Sequence, residues 1–248
     1  SLSVMPSPSS RADVFLRQHG YARRRADAQE AIEAGKVFDG GRRIIKPSQH
    51  LNESSRIKYE RAHPFVSRGA LKLAAALKQF DLSPRGLVCL DLGASTGGFS
   101  EVLLMHGAKR IFAVDVGHGQ LDPKIANDPR VENIERTNAR ALKSLAEAPQ
   151  AIAADLSFIS LKLALPPALA IAAPGAWLIA LVKPQFEAGR ENIGKGGIVR
   201  DDAVQNAVLE EIVAWLPSNA GWTAIGTMDS PVKGGDGNRE FLIAARKS

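Results

Sequence analysis

This 248-residue chain predicts an α/β protein: a doubly wound, mostly parallel sheet of seven strands, preceded by a small basic α+β domain. Three observations carry the prediction. From residue 87 onward, short apolar runs of strand length alternate with longer stretches of helical spacing, the pattern of a parallel sheet covered on both faces. A glycine-rich turn, Asp91-Leu-Gly-Ala-Ser-Thr-Gly-Gly-Phe99, follows the first of those runs and opens a helix. Charge is uneven: residues 1–64 hold 12 Lys and Arg against 7 Asp and Glu, and the remainder holds 20 against 19.

Residues 1–10 lack the basic start and apolar stretch of a secretory signal and read as a disordered start, so a cytoplasmic location is the expectation. Residues 11–60 read as a small domain. Two helical pieces separated at His19-Gly20 end at Gly35, a C-cap residue, and residues 36–45 form a hairpin turning at Asp39-Gly-Gly41. The polar stretch 52–66 ends at His63-Pro64, which places a linker at 61–66 and the larger domain at 67–248. The basic excess of the small domain suggests a polyanionic partner. Arg11, Asp13, Leu16, Arg25, Ala28, Ile32, Gly35, Val37 and Gly41 resemble the RNA-binding module named after ribosomal protein S-four. Arg24 stands where that module has Ser and Gly40 where it has Asn; both changes keep the charge and the turn. The candidate RNA contacts are Arg11, Arg17, Arg23, Arg24, Arg25, Lys36, Arg42 and Arg43. Arg23–Arg25 cluster at a helix start, where cations oppose the helix dipole, which favours a phosphate-binding role.

In the larger domain a helix is predicted over 67–79 with Ser67 as N-cap. Strands are predicted at 87–92, 110–116, 131–136, 151–155, 177–183, 222–228 and 240–246, and helices at 97–107, 138–147, 160–173 and 201–216. The single cysteine, Cys89, sits in an apolar run, which predicts a buried inert thiol and excludes both a disulfide framework and a cysteine-rich metal site; no metal is expected. Leu163–Val182 carries no charge over 20 positions, but Pro166, Pro167 and Pro174-Gly175 make it a helix, a turn and a buried strand rather than a membrane span.

Glycines in the turn after residue 92 let backbone approach a ligand and free the amides that start a helix. The dinucleotide fingerprint needs a glycine where Ser95 stands, and the P-loop needs Gly-Lys-Ser/Thr, which Gly194-Lys-Gly-Gly197 does not supply. Asp115 ends the second strand 22 residues after Gly93, where a carboxylate accepts from ribose hydroxyls. This set resembles the S-adenosylmethionine site of the class I methyltransferases. The resemblance implies that cofactor, with Asp91, Gly93, Ala94, Ser95, Thr96, Gly97, Gly98, Phe99, Asp115, Val116 and Asp155 around it. Asn138 either bonds the adenine or caps a helix.

Four polar residues, Lys72, Asp155, Lys183 and Glu240, fall where such a domain places them at the edge of the same crevice. Amine methylation is disfavoured, because Asp155-Leu-Ser-Phe158 replaces the Asp/Asn-Pro-Pro-aromatic that grips an amino group. Methylation at pyrimidine carbon-5 needs a cysteine nucleophile, and Cys89 cannot serve. A hydroxyl acceptor remains, and a hydroxyl needs a base or charge stabilisation as it attacks. Two lysines beside two acids and a sulfonium have coupled protonation, and Lys183 is the expected proton acceptor, with Lys72 and Asp155 positioning it and Glu240 holding Lys72 or the ribose.

The quartet resembles the Lys-Asp-Lys-Glu tetrad of FtsJ-type ribose methyltransferases. From Arg11 to the last strand the chain is similar to the TlyA (haemolysin A-like) family, in the motifs 66–73, 91–99, 154–160, 182–187, 194–200 and 237–241. The resemblance implies 2′-O-methylation of a ribosomal RNA cytidine, a Rossmann-like catalytic sheet, and docking of the small domain on a ribosomal subunit. The rival readings are a membrane-active haemolysin and a non-catalytic RNA-binding ribosome factor; the residues decide neither the subunit modified nor the oligomeric state.

Overall fold

The computed structural model describes residues 8–248 and divides after Pro64 into two compact units. Residues 1–7 of the expected disordered start lie outside the described residues.

In the first unit β1 (Ser10–Arg11) leads into α1 (Ala12–Gln18), and α2 (Arg25–Glu33) follows. Ala12, Phe15 and Leu16 of α1 pack on Ala28, Ala31 and Ile32 of α2, the faces that helical spacing predicts. The hairpin of β2 (Val37–Asp39) and β3 (Arg42–Arg43) is present, with positive φ at both Gly40 and Gly41, as a tight two-residue turn requires. The unit holds more sheet than the sequence suggests. β4 (His50–Leu51) pairs with β1, and β5 (Ile57–Tyr59) pairs with β2. A polar turn, in which Ser54 N donates to Asn52 Oδ1, separates these strands and hides the short alternation of Ile57 and Tyr59, which pack against the core.

The second unit is built on a seven-stranded sheet. Its strands are β6 (Val88–Leu92), β7 (Arg110–Val114), β8 (Val131–Ile134), β9 (Ala151–Ala154), β10 (Trp177–Val182), β11 (Trp222–Asp229) and β12 (Phe241–Lys247), in the spatial order β11-β12-β10-β9-β6-β7-β8. Pairing is parallel from β10 through β8, and β12 runs antiparallel between β10 and β11. Every residue of β6, β9 and β10 is buried, which is why these segments read as continuous apolar runs rather than alternating ones. Helices α3 (Gly69–Phe80), α4 (Gly98–Met105), α5 (Pro123–Ala126), α6 (Leu161–Ala164), α7 (Pro166–Ile171) and α8 (Asp202–Trp215) cover the sheet, and two apolar clusters line its two faces.

Three predicted helices differ. The segment 138–147 forms only a 3-10 turn, Ala139–Ala141: Asn138 caps it by accepting from Arg140 N, and the residues beyond Leu142 offer no apolar face long enough to hold a helix on the sheet. The segment 160–173 breaks into α6 and α7 where Pro166 and Pro167 remove amide donors. The helix predicted from Ser67 begins at Gly69 with Arg68 as its N-cap. The uncharged run 163–182 is therefore divided among α6, α7 and β10, and no helix of the described residues is long and apolar enough to cross a membrane.

The strand order reverses between β6 and β9, so the loops that leave these two strands part and open a crevice at their carboxyl ends. Gly93 leaves β6 and Asp155 leaves β9; a β-carbon at Gly93 would overlap the Asp155 carbonyl. Only glycine lets the two loops meet here.

Candidate active site

A cleft of about 1160 Å³ opens above this switch point. Of the residues expected around a cofactor, Gly93, Ser95, Asp115, Val116, Asn138 and Asp155 line it. Asp115 accepts from Ser95 N at 2.8 Å and from Gly117 N at 2.7 Å, which fixes the carboxylate at the end of β7 and leaves each oxygen a further lone pair. Asn138 caps a turn with its Oδ1 and is also part of the cleft lining. Val116 is exposed, and so is Phe158, which adopts a φ of 63° and leans on Phe186 with ring centroids 5.0 Å apart. A bulky residue held at positive φ is strained, and such strain concentrates at functional loops.

The remaining turn residues are not part of the cleft lining. Phe99 is buried in the core beside Val66 and Ala70. A β-carbon at Gly98 would overlap Ser67 Oγ and approach Ala70 N to 3.0 Å, and one at Gly97 would meet Leu121 at 2.9 Å. These two glycines let the start of α3 and the segment before α5 close on the turn. Ala94 is buried, and the Thr96 carbonyl accepts from Asp122 N. Asp91 is wholly buried: Ser100 Oγ donates to its Oδ2 at 2.7 Å, and its Oδ1 has no partner among the described residues. Burial pushes its carboxyl up to about 7, against the Ser100 hydrogen bond and with help from the charges of Asp155 and Asp115.

The quartet is drawn together as two ion pairs. Lys183 leaves β10, and its Nζ lies 2.5 Å from Asp155 Oδ1 and 2.9 Å from Ser157 Oγ. Lys72, on α3, lies 2.7 Å from Glu240 Oε2, just before β12. Lys72, Lys183 and Glu240 are each at most 8% exposed, and Asp155 stands on the cleft wall. The face of α3 that carries Lys72 also carries Gly69, one turn earlier, and a β-carbon there would stand 3.6 Å from Asp155 Oδ2. Burying Lys72, Lys183 and Glu240 is costly unless each is paired, and here each is. Ser157, Phe158 and Gln185 also line the cleft and are absent from the residues singled out by sequence; Ser157 and Phe158 lie inside the 154–160 motif and Gln185 inside 182–187, the signals that could have marked them.

Cys89 is buried with its thiol pushed up to about 12, first by burial and then by the Asp91 charge, which leaves it no nucleophilic role. Among the described residues no cluster of His, Cys, Asp and Glu could hold a metal ion.

On the first unit the expected RNA contacts separate into two kinds. Asp13 is buried and accepts from Arg11 Nε at 3.1 Å, Arg25 Nη2 at 2.8 Å and Gln29 Nε2 at 2.7 Å. Burial raises its carboxyl, but these bonds overcome that and hold it well below the usual carboxylate range. Arg11 and Arg25 thus brace the two helices. Asp27 takes Arg24 at 2.7 Å and Arg23 at 3.9 Å, offsetting the cations that oppose the α2 dipole. Lys36 faces Glu60 at 3.7 Å. Arg17, Arg42 and Arg43 are exposed and make no ion pair among the described residues.

The model of the FtsJ-like methyltransferases matches residues 65–247. The chain belongs to the FtsJ-like methyltransferase family. The S4 domain model matches residues 10–57 of this FtsJ-like protein. It is 43% identical over 244 residues to the 16S/23S rRNA (cytidine-2′-O)-methyltransferase TlyA of Mycobacterium tuberculosis, covering 96% of this chain and 90% of that one. It is 37% identical over 235 residues to Hemolysin A of Brachyspira hyodysenteriae, covering 94% and 98%. A solved structure from Streptococcus thermophilus, which bears the provisional label of a hemolysin, superposes with a TM-score of 0.78 at 40% identity over 97% of this chain and 89% of that one. A hemolysin label and a methyltransferase label thus fall on proteins of one FtsJ-like architecture.

Proposed function

We propose that this enzyme transfers a methyl group from S-adenosylmethionine to the ribose 2′-hydroxyl of a cytidine in ribosomal RNA, in the cytoplasm. The observation that carries the reading is the two ion pairs beside the cleft, Lys183–Asp155 after β10 and β9 and Lys72–Glu240 between α3 and the start of β12. The identity to a relative named for cytidine-2′-O methylation of 16S and 23S rRNA supports the substrate.

The residues present fit the cofactor. Asp115 offers acceptors for ribose hydroxyls, and Val116, Leu156 and Phe158 offer apolar walls for a purine. At about 1160 Å³ the cleft exceeds the usual pocket for one small ligand, roughly 300–1,000 Å³, and leaves room for a nucleoside beside a cofactor. When bound, S-adenosylmethionine supplies a methyl group made electrophilic by its sulfonium.

The proton of the attacking hydroxyl passes to Lys183 in its neutral amine form, the form that carries a free lone pair. Two of the tetrahedral positions of Nζ are taken by Asp155 and Ser157, which leaves one for a substrate oxygen. Asp155 and Ser157 orient that nitrogen. Lys72 stabilises negative charge that develops on the ribose oxygen, and Glu240, of its two expected partners, takes Lys72. Proximity of hydroxyl and methyl group supplies much of the rate. On the first unit, Arg17, Arg42 and Arg43 hold RNA phosphates.

The test is methyl transfer by the full chain to purified ribosomal subunits, with mass mapping of the product. A 2′-O-methylcytidine is expected. Lys183→Ala should lower transfer by roughly 10²–10⁴-fold and leave calorimetric binding of S-adenosylmethionine intact. Full transfer by that variant would remove Lys183 from the proton's path.

A further inference from the structure

Gln185 follows Lys183 by two residues and lines the same cleft as Asp155, without a part in the proton transfer. It sits in the 3-10 turn Pro184–Phe186, at the end of β10. It contributes to the cleft wall and is 9% exposed. Its Nε2 donates to Asp236 Oδ2 at 3.4 Å, while its Oε1 is buried with no hydrogen-bond partner among the described residues.

The orientation of this amide is set from behind. Asp236 accepts from Asn238 N at 2.9 Å and from Asn238 Nδ2 at 2.7 Å. Asn238 is buried and tied in turn to Val199 N and Gly197 O, each at 3.0 Å. The Asp236 carboxylate is therefore held in place, and it offers only acceptors. Turning the Gln185 amide over would set oxygen against oxygen. The nitrogen faces Asp236, and the oxygen, covered in this structure, is the end without a donor. A buried acceptor without a donor is unfavourable, so a ligand that brings a donor is favoured and one that brings a second acceptor is refused.

We propose that Gln185 reads the base of the target nucleotide: its Oε1 accepts a hydrogen bond from an exocyclic amino group, and Asp236 fixes which end of the amide faces the base. Cytosine presents an N4 amino group where uracil presents an oxygen, and adenine an N6 amino group where guanine presents an oxygen. Gln185 thereby selects an amino-bearing base next to the ribose that Lys183 deprotonates. Asp236 is a positioning residue. The inference rests on the ribose-methyltransferase reading of the same cleft.

The experiment uses the full chain, S-adenosylmethionine, and ribosomal subunits that lack the modification. Once the methylated nucleotide is mapped, subunits carrying the alternative pyrimidine or purine there give a ratio of kcat/KM for the two bases. The expected target is cytidine or adenosine, preferred by the wild type about 100-fold or more, since a site built around a buried hydrogen bond discriminates strongly. Gln185→Leu should slow the preferred base about tenfold and reduce the preference to under about fivefold, with calorimetric cofactor binding unchanged. Asp236→Asn gives the amide a partner that also donates, so it can turn over; transfer to the carbonyl-bearing base should rise. That variant carries the test alone should Gln185→Leu not fold. A target mapped to uridine or guanosine, or wild-type preference in both folded variants, overturns the role of Gln185 while leaving the methyltransferase reading intact. A wild-type chain that binds S-adenosylmethionine yet methylates neither subunit overturns both.

Discussion

Replacing Asp91 by Asn should remove a pH dependence from the stability of residues 65–248. The Asp91 carboxyl is wholly buried and pushed from 3.8 to about 7, chiefly by burial. That is about three pH units at ~1.4 kcal/mol each, or roughly 4 kcal/mol. The folded state keeps this proton to higher pH than the unfolded chain does. The stabilisation is therefore complete below about pH 4, declines by ~1.4 kcal/mol per pH unit as pH rises, and is gone above about pH 7. Asn cannot titrate, so the stability of the variant relative to the wild type should climb with that slope from pH 5 and level off above pH 7. Urea unfolding followed by tryptophan fluorescence reads the correct unit, because Trp177, Trp215 and Trp222 are the only three tryptophans and all lie in it. A difference between variant and wild type that stays flat from pH 5 to 8 would refute the reasoning.

Three further variants probe the packing and the RNA surface. Gly98→Ala forces a β-carbon onto Ser67 Oγ and to 3.0 Å from Ala70 N; the same fluorescence assay should show a loss of about 1–3 kcal/mol, and an unchanged midpoint would mean that α3 yields freely. Replacing Arg17, Arg42 and Arg43 together by Ala should weaken binding to an rRNA fragment and reduce the slope of log affinity against log salt by about 2, at ~0.7 per phosphate contact on a single strand. Anisotropy titrations from 50 to 200 mM salt check this, and an unaltered slope would exclude these three side chains from the phosphate contacts. Arg25→Ala, by contrast, should act through stability, because it strips a charged donor from buried Asp13.

The sheet was legible in the sequence because burial on both faces writes each strand as an apolar run bounded by turns: Val88–Leu92 and Trp177–Val182 could hardly be anything else. Helices were legible only where they have a face to bury. Residues 138–147 have helical composition but little to pack, and Pro166 and Pro167 interrupt 160–173, so propensity misled there. The quartet could be placed because each member adjoins a strand or helix end whose position follows from topology. Its pairing could not, since whether Glu240 meets Lys72 or a ligand depends on side-chain reach across 168 residues of chain. Nor could sequence separate Arg25 from Arg42: both are arginines in a basic domain, but one lies against Asp13 and the other faces solvent. The glycine turn reads in sequence as a ligand contact; that Gly97 and Gly98 also make room for the segment around α5 and the start of α3 depends on neighbours distant in sequence.

The antiparallel insertion of β12 between β10 and β11 has a consequence for biosynthesis. Residues 241–247 fill an interior position of the sheet, although they are the last of its strands to be made. Until they emerge from the translating ribosome, β10 presents a bare row of amides and carbonyls with apolar side chains on either side, a template for wrongful pairing with other nascent chains. Glu240 arrives in the same final stretch, so the partner of Lys72 and the closure of the sheet come together, and a half-made chain has neither.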